Sequence, residues 1–117
     1  MSMKVIVRLV DSVTIMDVSG RITLGEGCTQ LRELIREQLG KGNKNVLLNL
    51  GDVSYIDSSG IGELVSSYTA VSNQGGSLKL LNLTKKVQDL LQITKLYTIF
   101  DVHDDEAKAI SSFSVSA

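Results

Sequence analysis

The sequence predicts a single α/β domain, on three observations. Apolar runs of strand length alternate with segments of helical periodicity after an opening hairpin pattern. One run, residues 46–50, is apolar almost throughout, as a strand buried on both faces of a parallel sheet requires. The connections are short, which favours right-handed crossovers between neighbouring parallel strands. The 117 residues suffice for one core and are too few to enclose a large substrate in a cleft between lobes.

Residues 4–10 and 13–19 are rich in β-branched side chains and flank Asp11-Ser12, predicting an antiparallel hairpin that Gly20 ends. Thr23 and Glu26 have the spacing of a capping box. Behind them Leu24, Cys28, Leu31, Leu34, Ile35 and Leu39 recur at helical spacing, with Arg32, Glu33, Arg36 and Glu37 on the opposite face. Gly40 and Gly42 supply the stop. After the strand at 46–50, residues 51–57 read as a connection into a helix carrying Ile61, Leu64, Val65, Tyr68 and Val71, closed by Gly75-Gly76. Residues 78–81 form the next strand. Thr84 caps a third helix with Val87, Leu90 and Leu91. Residues 97–102 make a last strand, and Asp104 or Asp105 caps a fourth helix with Ala107, Ile110 and Phe113. The domain is expected to span 1–113, with 114–117 frayed. There is no internal repeat and no low-complexity linker.

Composition excludes several classes. Twelve Lys+Arg against thirteen Asp+Glu give a net charge of −1, and only Tyr55, Tyr68, Tyr97, Phe100 and Phe113 are aromatic, so neither a basic nucleic-acid surface nor a base-stacking platform is expected. Cys28 is the single cysteine, so no internal disulfide forms, as in a reducing compartment. No apolar run approaches the roughly 20 residues that cross a bilayer. Arg8 interrupts the apolar start, so a signal peptide is not expected. A cytoplasmic protein without membrane attachment is the expectation.

The most informative segment is Tyr55-Ile56-Asp57-Ser58-Ser59-Gly60-Ile61-Gly62. It follows a buried strand and opens a helix, where ligand and modification sites gather in open α/β sheets. The helix start offers free backbone N–H groups and a partial positive charge. Gly60 and Gly62 leave room for another surface to approach. Local chemistry leaves two readings open. Asp57, Ser58 or Ser59 is a plain helix cap, or the two hydroxyls and the carboxylate form a site.

Asn49-Leu50-Gly51-Asp52-Val53-Ser54-Tyr55-Ile56-Asp57-Ser58-Ser59-Gly60-Ile61-Gly62 resembles the signature of the STAS domain in bacterial anti-sigma factor antagonists. The similarity covers nearly the whole chain, including Gly20-Arg21-Ile22, the Gly75-Gly76 turn and the run from residue 78 into the Thr84 helix. The resemblance implies a mixed sheet, its first strand antiparallel and the rest parallel, with about four helices mainly on one side. It implies that Ser58 is the phosphoacceptor and that Asp57, Ser58, Ser59, Gly60, Ile61 and Gly62 face the partner. That partner would be an anti-sigma factor that is itself a serine kinase and binds the ATP. A phosphatase would reset the switch. The chain would need no cofactor or metal, catalyse nothing itself, and be a monomer when alone. Ser59 is expected to cap the helix and Asp57 to orient the Ser58 hydroxyl or engage the partner, with Ser19 and Gly20 bordering the same edge. Glu63, in the first turn, is less typical of the family; together with Asp57 it would oppose a phosphate while hydrated. The alternative is a STAS-like structural or transport-associated interaction module in which Ser58 is only a cap.

Other chemistries lack their residues. A receiver would need an acidic pair for Mg²⁺ after its first strand, where Ser19-Gly20-Arg21 stands. A serine hydrolase would need glycine where Ile56 stands, and a placed histidine; His103 is the only histidine, expected in a solvated loop. The dinucleotide fingerprint begun at Gly60-Ile61-Gly62 fails at Val65, and no Walker A motif occurs. Cys28 reads as a small buried hydrophobe. Lys85 and Lys86 are solvated or face an acidic partner patch. Leu91, Ile93, Leu96 and Tyr97 are expected in the core.

Overall fold

The computed structural model describes residues 3–114. A two-residue turn joins β1 (Lys4–Val10) to β2 (Val13–Ile22). Asp11 and Ser12 both take positive φ, 50° and 69°, which matches the right-handed twist of the flanking strands. The sheet has five strands in the order β1-β2-β3-β4-β5; β1 pairs antiparallel with β2, and every later pairing is parallel.

Gly20 does not end β2. Register shifts between Asp17 and Ser19 and between Gly20 and Arg21, with Gly20 at φ 93°, bend the strand and let it run on to Ile22. This extension supplies a pairing edge for residues read from sequence as a connection. Ser19 pairs with Asp52, Arg21 with Tyr55 and Ile22 with Ile56, so β3 spans Asn45–Ile56. β4 is Ser77–Leu81 and β5 only Val102–His103. The expected strand at 97–102 fails over most of its length. The amides of Leu96 and Tyr97 both donate to the Leu91 carbonyl, at 2.8 and 3.2 Å, and Lys95 takes φ 61°, so the chain there finishes a helix instead of pairing.

The helices are α1 (Glu26–Gly40), α2 (Ser58–Asn73), α3 (Lys85–Ile93) and α4 (Glu106–Ser114). Three of these four cover one sheet face: Leu31 and Ile35 of α1, Ile61 and Leu64 of α2, and Val87 and Leu91 of α3 pack over Met16, Val18, Leu48 and Leu80. On the other face α4 packs Ala109 and Phe113 against Val13, Ile15, Leu47 and Leu81. β3 thus buries Val46, Leu48 and Leu50 toward one layer and Leu47 toward the other, as a central strand of period two must. Thr84 caps α3 by accepting from Val87 N at 3.3 Å, and Asp105, not Asp104, accepts from Lys108 N at 3.1 Å to open α4. Ser114 closes α4, and the rest of the expected frayed tail lies outside the described residues.

The capping box does not form. α1 begins at Glu26 behind Gly25, whose φ is 98° and which makes no side-chain cap. Leu24, expected on the buried stripe, is 78% exposed. Among the late core residues, Leu91 is buried and Leu96 and Tyr97 pack partly against the core, whereas Ile93 is exposed. His103 lies on β5 rather than in a loop, its Nε2 3.1 Å from Asp101 Oδ2, and Lys79 Nζ sits at the same distance from that oxygen.

Beyond the core, Arg8 of β1 ties the hairpin to α4. It donates to Asp17 at 2.7 and 3.1 Å and to Glu106 at 2.9 Å, while Asn49 donates to Asp17 at 2.9 Å. The Arg8 hydrogen bond holds the Asp17 carboxyl below its ordinary value of 3.8, against the opposing effect of burial.

Candidate functional site

The parallel ladder of β2 and β3 ends at Ile22 and Ile56, and the next residue of β3's chain is Asp57. Its amide donates to the Ile22 carbonyl at 3.4 Å, and its extended backbone (φ −105°, ψ −176°) stops the strand and starts α2. Asp57 Oδ1 accepts from Gly60 N at 2.8 Å, and its carbonyl accepts from Ile61 N at 3.0 Å. Asp57 therefore caps the helix, the role expected of Ser59. Its second oxygen, Oδ2, accepts from Leu24 N at 3.2 Å. One carboxylate thus serves two helix starts: it caps α2 and pins the chain entering α1, which explains why Thr23 is not used. With both oxygens holding backbone donors, Asp57 orients its own turn and makes no bond to Ser58.

Gly60 is buried for an internal reason. A Cβ there would strike the Ile22 carbonyl oxygen and come within 2.6 Å of Ile56 Cγ1. Only glycine lets α2 lie this close to the end of β2. Ile61 is 2% exposed and packs into the core. Gly60 and Ile61, expected among the partner-facing residues, are therefore covered. Gly62 differs: it is exposed, and a Cβ there would meet nothing within 4 Å. Ser58 is exposed, Asp57 and Ser59 are half-buried, and the Ser58 hydroxyl makes no hydrogen bond among the described residues.

Glu63 is not hydrated, contrary to expectation. It is 5% exposed, and Arg32 of α1 donates to its Oε1 at 2.8 Å. This ion pair joins α1 to α2 and neutralises the charge that sequence alone set against a phosphate. Cys28, on the buried side of α1, is 5% exposed. Burial pushes its thiol above the ordinary value of 9.0, and Glu63 and Asp57 add to the effect, so it is an inert core residue.

Three exposed features border the turn and were not assigned to it by sequence. Leu24 presents an apolar side chain beside Asp57. Arg21 and Lys86 each lie over the Tyr55 ring, at 4.7 and 4.6 Å from its centroid, bringing cations from β2 and α3 to the end of β3. Lys86 is therefore stacked rather than free, whereas Lys85 pairs with Asp89 at 3.2 Å one helical turn on. The signal for Arg21 and Tyr55 was the parallel register itself, which pairs them. Ser19 and Gly20 lie further down β2 than expected: Gly20's carbonyl accepts from Ser54 at 3.1 Å, and Ile22 borders the turn instead.

A concavity of about 570 Å³ lies elsewhere, between Asn82, Thr84, Tyr97, His103 and Asp104. Among the described residues no three His, Cys, Asp or Glu side chains are grouped to hold a metal, and no helix is long and apolar enough to cross a membrane. An exposed hydroxyl on a rigid, capped helix start is fit for covalent modification and for docking against a protein surface.

Comparison with known proteins agrees with this geometry. The STAS domain family model matches residues 4–109. An anti-sigma-B factor antagonist of Bacillus subtilis is 40% identical over 72 residues, covering 59% of this chain and 66% of that protein. A Thermotoga maritima protein described as a candidate anti-sigma factor antagonist is 28% identical over 103 residues, covering 88% and 91% of the two chains. The crystal structure of a Thermotoga maritima protein described in the same way superposes with a TM-score of 0.86 at 26% identity, over 94% of each chain.

Proposed function

Because the chain belongs to the STAS domain family, we propose that it is an anti-sigma factor antagonist that binds a cognate anti-sigma factor and so releases the sigma factor, and that phosphorylation of Ser58 switches it off. The relatives' descriptions support the general role. The observation that carries the switch is the Ser58 hydroxyl: exposed, without an internal hydrogen bond, on a turn that Asp57 locks from both sides. The anti-sigma factor is the serine kinase and holds the ATP. Ser58 Oγ attacks the γ-phosphorus, ADP leaves, and the hydroxyl proton passes to a base on the kinase. A phosphatase hydrolyses the ester and restores the hydroxyl.

The physics of the switch is a difference between two environments. In the free chain a phosphate adds about −1.5 to −2 charges in water at a helix start that favours an anion by roughly 0.3–1 kcal/mol. Asp57 opposes it, but Glu63 does not, being paired with Arg32. No internal bond of Ser58 is lost, so the fold survives. Under a partner the same charge must be desolvated beside Asp57, and an unpaired buried charge costs several kcal/mol. About 2.7 kcal/mol already weakens binding about 100-fold. The docking surface comprises Ser58, Ser59 and Gly62 with the exposed edge of Asp57, and extends to Leu24 and the Arg21–Tyr55–Lys86 stack. Gly60 and Ile61 hold it in place from beneath.

The test uses the anti-sigma kinase of the same organism. With it and Mg-ATP, intact mass should rise by one phosphate, and Ser58→Ala should abolish the gain. Ser58→Ala should bind the kinase constitutively and Ser58→Asp at least about 100-fold more weakly. Equal affinity of the two variants, or phosphate on another residue, removes Ser58 from the mechanism and favours a permanent interaction module.

A further inference from the structure

β1 is an outer strand, and no described element covers its free edge. It carries few of the devices that keep sheet edges from pairing. The chain has no proline, and the β1–β2 register runs unbroken from Lys4↔Ser19 to Val10↔Val13, without a bulge. Ile6, Val7 and Leu9 are 54%, 40% and 65% exposed. Arg8, the charge nearest the middle of the strand, is turned aside into Asp17 and Glu106.

We propose that β1 is a self-association surface, through which two copies of the chain pair antiparallel about a two-fold axis at Val7 to make one continuous sheet. The hairpin sets the register. A two-residue turn closed by Val10 and Val13 directs the backbone groups of residues 4, 6, 8 and 10 toward β2. The Lys4 carbonyl, accepting from Ser19 Oγ at 3.5 Å, agrees. The amides and carbonyls of Val5, Val7 and Leu9 therefore point outward. With the axis at Val7, Val5 faces Leu9 of the second copy, Val7 faces Val7 and Leu9 faces Val5, and each pair exchanges main-chain hydrogen bonds.

The side chains are self-complementary in that register. Val5, Val7 and Leu9 lie on one face and form a continuous apolar strip across the axis. On the other face Ile6 opposes Arg8 and Lys4 opposes Val10, so no like charges stand directly opposite, and each Arg8 is already neutralised. Sliding the axis to Val5 or Leu9 shortens the ladder. This self-complementarity favours a second copy over an unrelated strand. The contact is one strand edge without a further layer behind it, so the dimer is reversible and concentration-dependent. It departs from the monomer the sequence suggests, and it leaves the Ser58 turn free.

Sedimentation over a concentration series is the direct test. The wild-type chain should shift toward twice its monomer mass as concentration rises. Val7→Lys, which places two ammonium groups across the axis, should raise the dissociation constant at least about tenfold while leaving the circular dichroism spectrum unchanged. Under oxidised glutathione, Val7→Cys should cross-link faster than Leu9→Cys. The paired Val7 Cα atoms are about 5.5 Å apart in this register, and those of Leu9 about 14 Å. Buried Cys28 does not compete. A wild-type chain that stays monomeric at several hundred micromolar, a dimer indifferent to Val7→Lys, or faster cross-linking at Leu9 would each overturn the proposal.

Discussion

The first turn of α2 has two sides with opposite demands. Inward, Gly60 and Ile61 leave no free volume: the glycine lies against the Ile22 carbonyl, and the isoleucine is sealed in the core. Outward, Ser58 and Gly62 meet only solvent. Two glycines two residues apart thus do different jobs, one forced by packing and one permitted by empty space. The switch proposed for Ser58 would draw on both, because packing beneath the turn keeps the surface in place whatever is attached above it.

The comparison can be broken most sharply from the inside. Gly60→Ala should cost about 3 kcal/mol, the upper end for overpacking, because the obstacle is backbone that cannot swing away; a lower denaturation midpoint reads it. If that variant is as stable as wild type, the inward side is not packed as described. Asp57→Ala should cost about 1–2 kcal/mol through loss of the cap, and amide exchange should rise at Leu24 as well as at Gly60. Faster exchange at Gly60 alone would mean that the two helix starts are not joined.

A carboxylate away from the turn gives the next comparison. Asp17 has a folded value below 3.8, so its contribution to stability is present at neutral pH, above the unfolded value. It is lost as pH falls through the folded value. Asp17→Asn should therefore be less stable at neutral pH and show a flatter decline below about pH 4. Asp101 is lowered as well: burial, the largest single effect, raises it, but bonds from His103 and Lys79 together with their charges prevail, so it adds to the acid sensitivity that remains. The smallest effect belongs to the outward glycine. Gly62→Ala should leave stability unchanged or raise it by up to about 1 kcal/mol, yet weaken binding to the proposed anti-sigma partner, since the added methyl would stand in the surface proposed to dock it.

What the sequence disclosed was local in origin. Helical spacing found all four helices, the Thr84 cap is a three-residue signal, and the apolar run at 46–50 marked the central strand. The Ser58 turn was legible because its residues are contiguous. What escaped depends on pairs far apart in the chain. Residues 51–56 become strand only because β2 continues past a bend at Gly20 and offers them a parallel edge. Thr23 and Glu26 have the correct spacing for a cap but lose to Asp57, which reaches the same segment from 33 positions away. Glu63 looked like a solvated charge because its partner, Arg32, is on another helix. Residues 97–100 have the composition of a strand, and the demand of α3's last carbonyls for donors decides otherwise.

The shared carboxylate has a practical corollary. Leu24 projects into solvent while its own amide is fastened to the residue next to Ser58. The chain has no tryptophan. An indole installed at position 24 would be the sole fluorophore of its kind, on a segment hydrogen-bonded to Asp57, and its emission would let the proposed esterification and partner capture be sought as time courses in one cuvette.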